Sequence, residues 1–269
     1  MAPFELSGRV AVVTGGYGVL GGSMAEALAA AGAKVAVLGR SAAAAETKAA
    51  SLRASGAEAM ALVADVLDES ALRAGCARLL AAWGRVDILV NAAGGHVAEA
   101  RTDDAPAFTM PLPAFDDVVR LNLHGSVYPT LVFGEAMARQ RKGSVVNVSS
   151  MAATQAVSGV LGYSVAKAAI ESFTRWLAVD LARRYGEGLR VNAIAPGFFV
   201  ARQNRAVLLG PDGEPTPRAR AILARTPMGR FGDPAELQGP VLWLCGDAAS
   251  FVTGAVIPVD GGFSADSGI

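Results

Sequence analysis

Short, nearly continuous apolar runs alternate along this chain with longer alanine-rich stretches, and the two patterns predict alternating strands and helices. Arg9 to Thr14 (RVAVVT), Lys34 to Leu38 (KVAVL), Glu58 to Val63, Val86 to Val90, Ser144 to Val148, Leu189 to Ile194 and Val256 to Val259 have the length and apolar character of buried strands. A strand covered on both faces loses the polar half of the two-residue alternation, as happens in a parallel sheet layered between helices. Ser23 to Ala31, Phe115 to Ala138 and a stretch ending near Tyr185 read as helices. Because the two kinds of element alternate throughout without a polar linker, the expectation is one α/β domain built on a doubly wound parallel sheet of about seven strands.

Composition narrows the function classes. Apolar residues make up 52% of the 269, ample for a buried core. Basic and acidic residues balance at 24 each with no basic run, which argues against nucleic acid as a partner. The longest uncharged run, Gly143 to Ala166, carries Asn147, five serines, Thr154 and Gln155, too many polar groups for lipid. With no signal-like segment at the start, a cytoplasmic location is expected. Cys76 and Cys245 stand far apart in helix-like segments, where packing is the expected role, and two histidines, His96 and His124, are too few to suggest a metal site.

Two stretches carry chemistry. The first is TGGYGVLGG, which follows the first strand and precedes a helix. In that setting glycines let the backbone approach a pyrophosphate while the helix N-terminus faces the anion, and Gly15, Tyr17, Gly18, Leu20 and Gly21 become candidate dinucleotide contacts. The second strand ends in Gly39-Arg40-Ser41. An acid there would accept from the adenosine ribose hydroxyls, whereas an arginine can pair with a 2′-phosphate, so Arg40 and Ser41 favour NADP over NAD. The other stretch is VNVSSMAATQAVSGVLGYSVAKAA. Lys167 follows Tyr163 by four residues, one helical turn, so ammonium and phenol share a face. Bringing a phenol from roughly 10 to near 7 takes about 4 kcal/mol of preference for the phenolate, and a fixed lysine charge is one source.

Ser150, thirteen residues before Tyr163, the Tyr-x-x-x-Lys pair and the glycine-rich turn together resemble the short-chain dehydrogenase/reductase family over essentially the whole chain. The resemblance implies a Rossmann-type fold and an NAD(P)-dependent oxidoreductase in which Asn122, within LNLHG, joins Ser150, Tyr163 and Lys167 as the catalytic set. It also implies cofactor contacts at Asp65 and Val66 beyond the third strand, at Asn91, Ala93 and Gly94 after the fourth, and at Pro196, Gly197 and Phe199 after the sixth. Asp65 reads equally as a helix cap. The chain departs from the family pattern at Val19, in the place of a glycine; at Ala92, in the place of an asparagine; and at Ala201, in the place of a threonine. Family members are commonly tetramers, so a homo-oligomer, tetramer or dimer, is expected.

Residues 198–230 are longer than a simple connection and rich in arginine, and read as a substrate lid. Their strings GFFV, QNRA and TPMGRFG, with the ending PVDGGFSA, resemble the D-mannonate oxidoreductase (fructuronate reductase) branch, which implies a sugar-acid substrate. Arg202 or Arg205 would clamp its carboxylate, with Asn204, His96 and Ser150 as further substrate contacts. That branch normally carries an acid in place of Gly39. Two alternatives stand beside this reading: the same chemistry on a polyol, sugar lactone or 3-oxoacyl substrate, and a non-catalytic nucleotide-binding sensor.

Overall fold

In the computed structural model, which describes residues 4–102, 105–200 and 204–267, seven strands form one parallel sheet. The strands are β1 (Val10–Thr14), β2 (Lys34–Gly39), β3 (Ala59–Val63), β4 (Ile88–Asn91), β5 (Gly143–Val148), β6 (Leu189–Pro196) and β7 (Val256–Val259). Their spatial order is β3-β2-β1-β4-β5-β6-β7, so the winding direction reverses between β1 and β4 and opens a crevice above the strand ends there. The register of β1 against β2 and β4 brings Thr14 level with Leu38 and Asn91, which lines up the carboxyl ends along one edge.

Strict alternation within β1 assigns the two core layers. Ala11 and Val13 point to the face covered by α1 (Val19–Ala30), α2 (Ala42–Ala54) and α9 (Gln238–Cys245), where Met24, Leu28, Leu52 and Leu244 complete the layer. Val10 and Val12 point to the opposite face, under α3 (Glu69–Trp83), α5 (Gly125–Gln140) and α6 (Leu161–Tyr185), against Leu79, Phe133, Met137 and Leu177. Both faces are covered, so β1, β4, β5 and β6 are buried throughout and β2 nearly so, while the edge strands β3 and β7 are partly exposed. Cys76 and Cys245 sit in these two layers as packing groups.

Two expectations change. The first helix begins at Val19, four residues earlier than its alanine content suggested, because Gly21 and Gly22 lie inside it. The helix expected over Phe115 to Ala138 is α4 (Leu112–Val119) and α5 joined by a π-helical turn at Arg120–His124. The cause lies in Asn122, whose side-chain amide donates to its own Val118 carbonyl and to the Gly95 carbonyl and so widens the helical ladder. Residues 198–230 contain α7 (Arg205–Leu208) and α8 (Pro217–Ala224), which bury Leu208, Ala219 and Ile222 in a small core of their own. Among the described residues no helix is long and apolar enough to cross a membrane.

Candidate active site

The glycine turn after β1 has the geometry its sequence predicts. Gly15 takes φ +62°, a left-handed conformation that side chains avoid, and a Cβ there would also lie 3.0 Å from the Ala92 carbonyl oxygen. At Gly21 a Cβ would stand 2.4 Å from the Gly15 carbonyl oxygen, so helix and turn touch through bare backbone. Val19 replaces the family's middle glycine without a clash because its side chain points outward, 42% exposed. No side chain caps α1 and no acid occupies its first turn, leaving its N-terminal N–H groups and positive end to an anion. Thr14, which the sequence reading passed over, fixes the far wall: its hydroxyl accepts from the amides of Ala92 and Ala93 at 3.1 Å each.

At the adenosine end, Arg40 is 73% exposed along its side chain and 3.9 Å from the Asp65 carboxylate, a loose surface pair. Asp65 accepts from the Leu67 amide; the cap of α3 is Asp68, which accepts from Ala71. Ser41 spends its hydroxyl capping α2 and donates its amide to the Tyr17 hydroxyl at 3.3 Å. Val66 is buried against Gly125, and Leu20 packs partly into the core.

Above β4 and β5 the second group assembles. Ser150 stands near enough to Tyr163 to favour its phenolate, and its hydroxyl accepts from the Ala152 amide at 3.2 Å and faces the Met151 sulfur at 3.9 Å. The Lys167 ammonium, 4% exposed, lies 5.3 Å from the Tyr163 ring centroid and donates to the Val148 carbonyl at 2.7 Å. The His96 ring lies against the phenol, its centroid 4.5 Å from that of Tyr163. Asn122 is fully buried and exchanges hydrogen bonds with both the amide and the carbonyl of Gly95, at 3.0 and 2.8 Å. Gly94 lies between them: a Cβ on it would be 2.6 Å from Asn122 Oδ1 and 3.6 Å from Lys167 Nζ. Behind the lysine, Ser149 donates to the buried Glu171 carboxylate, which also meets Arg175, a pairing with no signal in sequence beyond one acid on an apolar helix face.

The expected tuning of the phenol is not what this packing produces. Burial pushes Tyr163 upward, offset in part by the Ser150 hydroxyl, and brings Lys167 down to about 7. The ammonium points at a backbone carbonyl and sits over the ring rather than meeting the phenolic oxygen, so desolvation outweighs its pull.

The remaining candidates have these surroundings. The Asn91 side chain is buried within the sheet, donating to Thr130 and Asn147, so only its backbone is left for the crevice. Asn204, expected at the substrate, donates to the Phe199 carbonyl, and the ring of Phe199, expected at the cofactor, is buried beside Gly232. Pro196 ends β6 and Gly197 donates to Val259 while packing on Asp260. Arg205 is exposed on α7; Arg202 and Ala201 lie outside the described residues. Arg218, which sequence did not single out, donates from α8 to Ser158 at 2.9 Å and ties the 198–230 segment to the loop before Tyr163.

Fold and site together define an oxidoreductase of the short-chain dehydrogenase/reductase class. Residues 18–264 match the family model described as enoyl-(acyl carrier protein) reductase. An uncharacterized oxidoreductase, UxuB of Bacillus subtilis, is 43% identical over 275 residues, covering 98% of each chain. A galactitol 2-dehydrogenase (L-tagatose-forming) of Cereibacter sphaeroides is 37% identical over 265 residues, covering 97% of each. A solved structure assigned to a D-mannonate oxidoreductase of Haemophilus influenza, with bound NAD, superposes with a TM-score of 0.93 at 39% identity over 98% of each chain. The chain belongs to the short-chain dehydrogenase/reductase family and is an NAD(P)-dependent oxidoreductase acting on alcohol groups.

Proposed function

We propose that this enzyme interconverts a secondary alcohol and a ketone on a polyhydroxylated acid of the D-mannonate/D-fructuronate kind. The observation that carries the chemistry is the gathering of Ser150, Tyr163 and Lys167 at the strand ends, with His96 against the phenol. The bound dinucleotide supplies hydride. The turn from Gly15 to Gly21 suits its pyrophosphate, Arg40 and Ser41 its adenosine ribose, Asp65 and Val66 its adenine, Lys167 its second ribose, and the backbone at Asn91, Ala93, Gly94, Pro196 and Gly197 its nicotinamide end. In the reducing direction Tyr163 hands its phenolic proton to the carbonyl oxygen while Ser150 holds that oxygen in place. Burial makes the phenol a weaker acid, so its proton leaves only as negative charge develops on the carbonyl oxygen it faces, while Lys167, near 7, exchanges protons readily at neutral pH. Asn122 holds the Gly94-Gly95 wall beside the lysine.

The favoured coenzyme is NADP, on the strength of the exposed Arg40 and the lack of an acid at the end of β2, although the Haemophilus relative binds NAD. The substrate class draws on the mannonate and galactitol named for its relatives and on arginine in the 198–230 segment, which we read as a lid with Arg205 facing the carboxylate. A homo-oligomer fits the apolar side chains exposed on α5 and α6, Leu131, Trp176 and Val179. The test is a panel of sugar acids, polyols, lactones and 3-oxoacyl thioesters assayed by coenzyme absorbance. Carboxylated sugars should give the highest kcat/KM, and Arg205→Ala should raise their KM about tenfold while leaving neutral polyols unchanged. A preference for neutral polyols would move the enzyme to the galactitol-like alternative.

A further inference from the structure

We propose that Tyr17, lying across Gly39, keeps an acidic side chain out of the end of β2 and so leaves the adenosine ribose to Arg40, the two residues together setting coenzyme preference in this chain. The inference rests on the dinucleotide reading above. Gly39 is not glycine for the sake of its backbone, since it is not among the glycines with positive φ. What a side chain there would have to displace is the neighbouring ring: a Cβ at 39 would stand 2.2 Å from Tyr17 Cε1, 2.8 Å from Cζ and 2.9 Å from the hydroxyl oxygen. The ring is held there at its far end, where the hydroxyl accepts from the Ser41 amide at 3.3 Å. The two positions are therefore coupled. An acid at 39, the group that accepts from the ribose hydroxyls in NAD-selective crevices, requires the tyrosine to swing out and give up Ser41. With the tyrosine in place, the groups beside the ribose are Arg40 and the loosely held Asp65, 3.9 Å from it. An exposed guanidinium so weakly paired is available to a phosphate dianion, which it meets bidentately. The glycine turn that cradles pyrophosphate thus also carries, in Tyr17, the residue that keeps the acid out.

The coupling has a reading that needs no coenzyme. In the coenzyme-free protein, Gly39→Asp should lower Tm through the forced displacement of Tyr17, and the added Tyr17→Ser should restore it toward that of Tyr17→Ser alone. Titration of NADPH and NADH then follows the same cycle. Wild type should bind NADPH roughly tenfold to a hundredfold more tightly, and Arg40→Ala should erase the difference. Gly39→Asp alone should weaken both coenzymes, and only the double variant should bind NADH more tightly than NADPH. Conversion to NADH by Gly39→Asp alone, with Tm unchanged and the double variant merely additive, would overturn the role given to Tyr17 while leaving the dinucleotide reading intact. Failure of wild type to bind either coenzyme would overturn that reading and this inference with it.

Discussion

Lys167 shows how far burial can move a single group. Its ammonium falls from 10.5 to about 7 because it has been taken out of water with one carbonyl as partner. Between those values the unfolded chain holds the proton more firmly than the folded one, so this group's contribution to stability rises with pH across the window and is level below 7, where both states are protonated. Lys167→Met should therefore stabilise the protein at pH 7, by about 1–3 kcal/mol after the lost hydrogen bond, with the gain shrinking toward pH 10.5 as thermal denaturation is repeated at rising pH. Turnover should be lost in the same variant, since stability and activity pull apart at such sites. For Tyr163 the shift is upward, so alcohol oxidation, which needs the phenolate, should climb through the alkaline range while carbonyl reduction stays flat near neutrality; pH profiles in both directions check this. The identities of these residues were legible because helical spacing puts Tyr163 and Lys167 on one face and because, with Ser150 and the glycine turn, the pair resembles a family pattern. Their proton affinities were not, since these depend on solvent exclusion by β5 and on where the ammonium points.

At the glycine turn two elements meet through bare backbone. Gly21→Ala places a methyl 2.4 Å from the Gly15 carbonyl oxygen, so α1 must back away from the turn. The expected cost is about 1–3 kcal/mol in denaturant unfolding, with coenzyme affinity falling at least tenfold in titration, whereas Val19→Gly, at an exposed side chain, should cost little beyond helix propensity. Spacing alone identified this turn, because β1, the glycines and α1 are contiguous. The π turn at Asn122 escaped the hydrophobic period, because its cause is a hydrogen bond to Gly95, far along the chain. Arg218 escaped for the same reason: its partner Ser158 belongs to another segment. If the 198–230 segment acts as a lid, Arg218→Ala should raise KM several-fold with a smaller change in kcat, as steady-state kinetics would record.

Across the whole molecule, a doubly wound parallel sheet of about seven strands could be anticipated from alternating strand-like and helix-like runs, whereas the strand order and the reversal between β1 and β4 come from the structure. Each buried strand announces itself by lacking a polar face. The exposed apolar side chains proposed to support association could not be read the same way, because Leu131, Trp176 and Val179 share their helices with core residues and only the packing separates the two sets. Trp176→Arg with Val179→Glu should shift the protein to a smaller oligomer in light scattering while leaving the monomer folded. All of this surrounds one chemical claim, that the Tyr163 phenol moves the proton while the coenzyme moves the hydride. The most direct measurement compares Tyr163→Phe with wild type for coenzyme affinity by titration and for single-turnover oxidation of the reduced coenzyme by the preferred keto acid. The account predicts affinity within about threefold of wild type and a rate at least roughly a thousandfold lower. A variant that binds coenzyme normally and turns over near the wild-type rate would contradict it.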